Sequence, residues 1–270
     1  MALKDITLGQ YFPGKTIIHR LDPRTKLLGT IAYIVALFLA SNLVSYAILM
    51  AVLAILIAVS KVGVKSILRG MRPVFIIIAL TAVLNLFFTP GKGEPLVSFW
   101  ILTIYAEGIR AAVFMILRIM MLISCTFLLT YTTSPIMLTD GLEKLLSPLK
   151  VIRVPIHELA MMMSIALRFI PTLIEETDKI MSAQKARGAD FDTGNLVQKA
   201  KALVPLLVPL FISAFRRADE LAVAMECRCY HGGSGRTRLR QLKMGGVDVV
   251  ALLLSLALCV GIGLLRRFGW

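Results

Sequence analysis

From Leu27 to Ser60 the chain carries no charged side chain, and only Ser41-Asn42 interrupts the apolar run. As one helix, at about 1.5 Å per residue, this run would reach about 50 Å, too long for a single crossing of a hydrocarbon core about 30 Å thick. Two spans joined by a tight turn near Asn42 resolve the excess length. The whole composition agrees with a bilayer as solvent. Apolar residues make up 57% of the chain and the mean hydropathy is +0.80, whereas soluble domains hold about 45–50% apolar residues.

The charge then has to be placed. Lys and Arg number 30 against 16 Asp and Glu, a net charge of +14. Nucleic-acid binding would need basic residues interleaved with exposed aromatics or a known reading module, and neither is present. Loops that obey the positive-inside rule account for the excess more simply. Lys4, Lys15, Arg20, Arg24 and Lys26 make the N-terminal segment basic, and Lys61, Lys65, Arg69 and Arg72 form a second cluster. The turn at Ser41-Asn42 has no basic residue, and the stretch 89–107 has only Lys92. This alternation puts the N terminus and the 61–72 loop in the cytoplasm.

Pro73 suits the first turn of a helix, so a third span is expected from about Val74 to Phe88. Thr89-Pro90-Gly91-Lys92-Gly93-Glu94-Pro95 reads as a turn-rich loop. A fourth span covers about Gly108 to Tyr131, with Arg110 near its entry and Arg118 inside. A last span runs from Val247 to Leu265. Five spans leave the C terminus outside, and Arg266 and Arg267 vote against that; the earlier loops outvote the pair. The fold class is thus all-α, a polytopic membrane protein in three stretches: 1–131 with four spans, 132–245 on the cytoplasmic side, and 246–270 with the last span.

The stretch 132–245 does not read as a plain permease. Ile156–Ile174 and Leu203–Phe215 are apolar enough to resemble spans, but Arg168 and Pro171 break the first, and Pro205 and Pro209 break the second. Leu159, Met162, Met163, Ala166, Ile170, Ile174 and Met181 make one stripe at helical spacing, with Glu158, Glu175, Asp178, Lys179 and Lys185 largely off it. Two long amphipathic helices are expected, about 155–188 and 195–230, antiparallel and lying in or against the membrane surface. Gly188 supplies a stop for the first, and Thr193 or Asn195 can cap the second. A shorter piece, Ile136–Leu149, links them to the fourth span.

Each long helix ends on an arginine between small residues: Ala186-Arg187-Gly188 and Cys227-Arg228-Cys229. A cation in a last helical turn is favoured by the helix dipole by about 0.3–1 kcal/mol, whatever its identity. Two arginines whose neighbours leave the guanidinium uncovered add a second reading, since five donors in a planar fork suit carboxylates or backbone carbonyls of a docking protein. Arg168 is expected to pair with Glu175 or Glu176, and Arg118 to snorkel or to pair inside the bundle. Met161-Met162-Met163 suits adaptable packing better than copper chemistry. His19, His157 and His231 share no metal-ligand spacing, and Cys227 and Cys229 match no zinc or redox motif. No phosphate-binding glycine loop, zinc-protease motif or activated nucleophile is found, so neither catalysis nor a bound cofactor or metal is expected of this chain.

Several blocks, taken in order and spacing, carry a resemblance. They are Gly9-Gln10-Tyr11-Phe12-Pro13-Gly14, His19-Arg20-Leu21-Asp22-Pro23-Arg24-Thr25-Lys26-Leu27, Leu167-Arg168-Phe169-Ile170-Pro171-Thr172, Ala183-Gln184-Lys185-Ala186-Arg187-Gly188, Arg216-Arg217-Ala218-Asp219, and Ala224-Met225-Glu226-Cys227-Arg228-Cys229-Tyr230. Over nearly its whole length the chain resembles the transmembrane T component (EcfT) of energy-coupling factor transporters, ABC-type importers of vitamins and trace metals. The resemblance implies that Ala186, Arg187 and Gly188, with Cys227, Arg228 and Cys229, dock into grooves of two ABC ATPase subunits, which hold the ATP and Mg. It implies a second partner, a membrane-embedded substrate-binding S component, which the coupling helices would tilt. Cysteine on both sides of Arg228 departs from the common Ala-Arg-Gly. The sequence looks closer to the shared, vitamin-type group II components than to dedicated cobalt or nickel ones. A conventional permease would need polar groups converging between spans, where only Asn85, Arg118 and a few hydroxyls are available.

Overall fold

A computed structural model of the chain describes residues 11–88, 97–99, 102–189, 191, 195–232 and 242–267. The architecture is helical. Among the described residues the exception is a two-stranded antiparallel ribbon, β1 (Val97–Phe99) and β2 (Leu102–Ile104), paired with Val97 opposite Ile104. The chain forms two compact units, one of residues 9–141 and 242–270, the other of 1–8 and 142–241.

The first unit is the membrane unit. After the short α1 (Ile17–Arg20) come α2 (Pro23–Leu39) and α3 (Leu43–Ser60). The uncharged run is thus cut at residues 40–42, where Ser41 and Asn42 favour a turn and a cap over a helix interior. Asp22 caps α2 by accepting from the Arg24 amide at 2.9 Å, with Pro23 in the first turn, where its missing N–H costs nothing. α4 (Val64–Phe88) starts ten residues earlier than the expected third span. Pro73 is inside it rather than at its start. One proline removes one backbone bond, and the packing of the helix outweighs that loss. α5 (Ala106–Thr132) and α9 (Gly246–Arg267) complete the unit.

Glycine governs how closely α4 and α5 approach. A Cβ on Gly70 would sit 2.9 Å from the Phe127 ring, and one on Gly108 would sit 3.0 Å from the Leu86 carbonyl oxygen. Absent side chains let the two backbones meet, as small residues do between helices in lipid. One core cluster gathers Tyr33, Ala36, Leu37, Tyr46, Leu49 and Ile262; a second holds Ile67, Met71, Ile78, Leu128 and Tyr131. Arg118 does not snorkel. It donates to the Tyr46 hydroxyl at 2.9 Å and the Ala40 carbonyl at 3.3 Å, so its charge is spent on helix packing.

A buried polar knot ties this unit's chain ends together. The Asp248 carboxylate, at the start of α9, accepts from the Asp22 amide and from the Gly245 amide, each at 2.8 Å. The Lys26 ammonium donates to the Thr132 carbonyl at 2.8 Å and the His19 carbonyl at 3.2 Å. It thereby satisfies acceptors that helix ends leave open. Burial pushes the His19 imidazole below its ordinary value. The neutral ring donates from Nε2 to the Phe12 carbonyl at 3.1 Å and accepts from the Thr16 hydroxyl at Nδ1, 2.6 Å away. Gly14 is obligatory beneath this ring, because a Cβ there would lie 2.7 Å from it. The His19–Leu27 block is therefore a fastening.

α6 (Pro135–Leu146) carries the chain from one unit to the other, ending in a 3-10 segment, Ser147–Ile152. The second unit consists mainly of α7 (Ile156–Ala186) and α8 (Leu196–Cys227). Asn195 precedes α8 directly, and its amide donates to the Gln198 side chain at 3.0 Å, one half of a capping box. Thr193, the other expected cap, lies outside the described residues. Among the described residues five helices are long and apolar enough to cross a membrane: α3, α4, α5, α9 and also α7, whose hydropathy is the lowest of the five at 1.3. α2, with 17 residues, is shorter than these.

Candidate functional site

α7 and α8 pack antiparallel. The Gln184 side-chain amide donates to the Pro205 carbonyl at 3.3 Å, while Arg217 and Ser213 meet Glu176. Ile165 and Phe169 line a groove with Leu221, Ala222 and Met225. Paired positions therefore sum to about the same number along the whole length, as an antiparallel register requires. The groove has a volume of about 260 Å³ and is almost wholly apolar.

The fastening at mid-length is ionic. Arg217 donates to Glu176 Oε2 at 2.7 Å and the Ser213 hydroxyl donates to Oε1. This corrects the expectation for Arg168. Arg168 is exposed and meets no carboxylate among the described residues; the acid's partner comes from the other helix. Sequence could not assign it, since Arg216 and Arg217 are adjacent and only the helix register separates them. A further polar contact, His157 Nδ1 to Glu143 Oε1 at 3.1 Å, joins the start of α7 to the end of α6.

Each helix closes on the same backbone device. At the end of α7 the Arg187 amide donates to Ala183 and Gln184, Gly188 turns left-handed at φ 89°, and the Ala189 amide returns to the Gln184 carbonyl at 3.0 Å. At the end of α8 the Arg228 amide donates to Met225, Cys229 turns left-handed at φ 55°, and the Tyr230 amide returns to the Met225 carbonyl at 3.0 Å. These are Schellman closures. In both, the arginine directly precedes the left-handed residue, so both guanidinium groups leave the backbone at the same point of the same turn. Glycine takes a left-handed conformation freely; cysteine does so at a cost.

The six residues Ala186, Arg187, Gly188, Cys227, Arg228 and Cys229 are all exposed. Neither arginine meets an acid among the described residues. Cys227 and Cys229 are free thiols, and no group of three metal-ligating side chains exists among the described residues. The structure does not bring the two arginines together. In the antiparallel register Arg228 lies level with residue 162, some 25 residues from Arg187, which is about 38 Å along the pair. They form two separate sites, one at each end of the helix pair.

The long faces of these helices are open as well. Val197, Val204, Val208, Phe211 and Phe215 follow one another at helical spacing on α8, each at least half exposed. Leu159, Met162 and Met163 are similarly exposed on α7.

Comparison with known proteins gives this geometry its context. A family model described as a cobalt transport protein matches residues 14–239. A protein of Clostridium kluyveri, 58% identical over 268 residues and covered to 99% on both sides, is named energy-coupling factor transporter transmembrane protein EcfT. Proteins of the same name from Thermosediminibacter oceani, 55% identical over 99% of this chain and 100% of the relative, and from Acidaminococcus fermentans, 54% identical over 98% of each, are similar to it throughout.

Proposed function

Because this chain belongs to the family of energy-coupling factor transporter transmembrane proteins, we propose that its arginine tips are the docking points for two ABC ATPase subunits. The observation that carries this reading is the duplicated Schellman tip: the same arginine position, closed the same way, at opposite ends of one antiparallel pair. Sites about 38 Å apart call for two binding surfaces, which two copies or two homologous ATPases supply. The tips include Ala186, Gly188, Cys227 and Cys229 because small neighbours let a groove close around the guanidinium, whose fork can satisfy carboxylates or helix carbonyls there.

In this reading the chain hydrolyses nothing. Its partners bind ATP and Mg, and their approach and separation move the helix ends. The Glu176–Arg217–Ser213 fastening makes α7 and α8 one lever. The exposed apolar stripes on α8 and α7 pass the motion to a membrane-embedded S component that holds the substrate. The N terminus and this helix pair then face the cytoplasm, and α7 works as a coupling helix although its length would allow a crossing. A vitamin is the proposed cargo, since the relatives are named for energy coupling and not for a metal. The cobalt description of the family model favours a metal cargo as a second reading. The S component that co-purifies decides between them, by binding a vitamin or a divalent metal.

The test is Arg187→Ala with Arg228→Ala. ATPase association should weaken by at least tenfold per site, given that a buried charged contact is worth roughly 2–5 kcal/mol, and coupled uptake should cease while the protein stays in the membrane. Undiminished ATPase binding and uptake in the double variant would return both arginines to the role of dipole complements. Uptake by chain and ATPases without any S component would show that the chain itself carries substrate.

A further inference from the structure

The outer face of α4 sets cations and apolar side chains in one line. At about 100° per residue, Lys65, Arg69, Arg72, Ile76, Leu80 and Val83 fall within an arc of about 80°, and all six are exposed. The opposite side of the helix, through Ile67, Gly70, Met71 and Ile78, packs into the protein core. Along the outer arc the chemistry changes once. Three cations occupy the first ~10 Å, and an uncharged apolar strip follows for the next ~16 Å.

Among the described residues the cations have no counter-charge. No Asp or Glu occurs between Asp22 and Glu94, and among the described residues no carboxylate lies within ion-pair distance of Lys65, Arg69 or Arg72. Orienting the chain in the membrane needs only a count of basic residues in the loop. It does not need three of them on one face, aligned above an exposed apolar track. That alignment is complementary to a molecule with an anionic head and a hydrocarbon tail, standing parallel to the helix.

We infer that this face of α4 is a binding site for an anionic glycerophospholipid. The phosphate sits among Lys65, Arg69 and Arg72, and an acyl chain runs along Ile76, Leu80 and Val83. Juxtamembrane cations attract anionic headgroups through Coulomb forces that fall off within a Debye length. Two arginines add donors that can grip a phosphate in a fork.

The experiment is native mass spectrometry of the purified full chain offered equal amounts of phosphatidylglycerol and phosphatidylcholine. Wild type should retain phosphatidylglycerol by on the order of tenfold over phosphatidylcholine, and glycerol 1-phosphate, which has a head and no tail, should not compete. Lys65→Gln with Arg69→Gln and Arg72→Gln should bring the preference within about twofold. The same loss of charge at Lys179, Lys201 and Arg216 should leave it intact. If the triple variant does not fold, Arg72→Gln should still reduce the preference and Arg72→Lys should restore most of it. Absence of a preference in wild type, or equal loss in the two triple variants, overturns the site. So does competition by glycerol 1-phosphate, which would indicate a phosphate site without a lipid. A photo-crosslinker at Leu80 that captures another subunit in the assembled transporter would show that a protein covers the face.

Discussion

The membrane unit and the helix pair use apolar residues to different ends. In the membrane unit the interior is closed. Tyr46, Leu49, Leu37 and Ile262 are almost completely buried, and polar groups such as Lys26, Asp248 and Arg118 are matched by partners from distant parts of the chain. In α7 and α8, among the described side chains, only Ile156, Ala160 and Leu206 are buried. These helices are as long as any among the described residues, yet among those residues a narrow apolar seam and the Glu176–Arg217 ion pair hold them together. An apolar face beside lipid is finished by lipid. One that alternates with Glu175, Lys179, Lys201 and Arg216 is not finished by lipid alone, and under the proposed function it is the surface that partners complete. The two regions therefore respond to damage differently: the first should lose stability, and the second should lose partnership.

The strongest test of this division is Lys26→Met. The change leaves the Thr132 and His19 carbonyls without their donor and removes the cation beside Asp22 and Asp248. Unsatisfied buried groups and uncompensated charge together should cost about 3 kcal/mol. In detergent this should appear as a clear fall in the thermal midpoint of the isolated chain, before any partner is added. A variant that kept its midpoint and lost only ATPase binding would erase the distinction between the two regions.

A smaller effect is expected at the two left-handed closures, where one helix has Gly188 and the other Cys229. A Cβ in that conformation costs about 1 kcal/mol. Cys229→Gly should raise the hydrogen-exchange protection of the Tyr230 amide by about fivefold, and Gly188→Cys should lower that of the Ala189 amide by a similar factor. Both changes act on the tips and leave the membrane unit's midpoint alone. Unchanged protection in both variants would mean that partners, not backbone preference, set the tip conformation.

How much of this was legible in the sequence follows from the range of the interactions. The turn at residues 40–42 and the end of α7 at Arg187 depend on local chemistry, an uncharged run of fixed length and a glycine after a helix, so local reading suffices. Pro73 misled because the same residue is acceptable at a helix start and tolerable inside one. The knot at Lys26 joins residues 106 and 226 positions apart, which no spacing rule reaches. The left-handed turn at Cys229 was hidden as well, because the usual glycine stands three residues later at Gly232.

The ionic fastening of the helix pair gives the smallest predicted effect and the most specific one. Arg217 and Glu176 are 37% and 23% exposed, so water screens much of their attraction, and Glu176→Gln should cost about 0.5–1 kcal/mol at most. The amide still occupies the place of the carboxylate and can accept from Ser213, so α7 and α8 should stay paired and the membrane unit should not notice. What changes is stiffness. A lever about 38 Å long, held by a thin seam, transmits displacement only if its two arms cannot slide past each other, and the Glu176 contacts lie near its middle. The expected result is normal ATPase association with a lower ratio of transport to ATP hydrolysed. If Glu176→Gln leaves that ratio unchanged, the apolar seam alone stiffens the pair. If it lowers ATPase association instead, the fastening sets the position of the tips, and the separation between holding the lever and docking its ends does not stand.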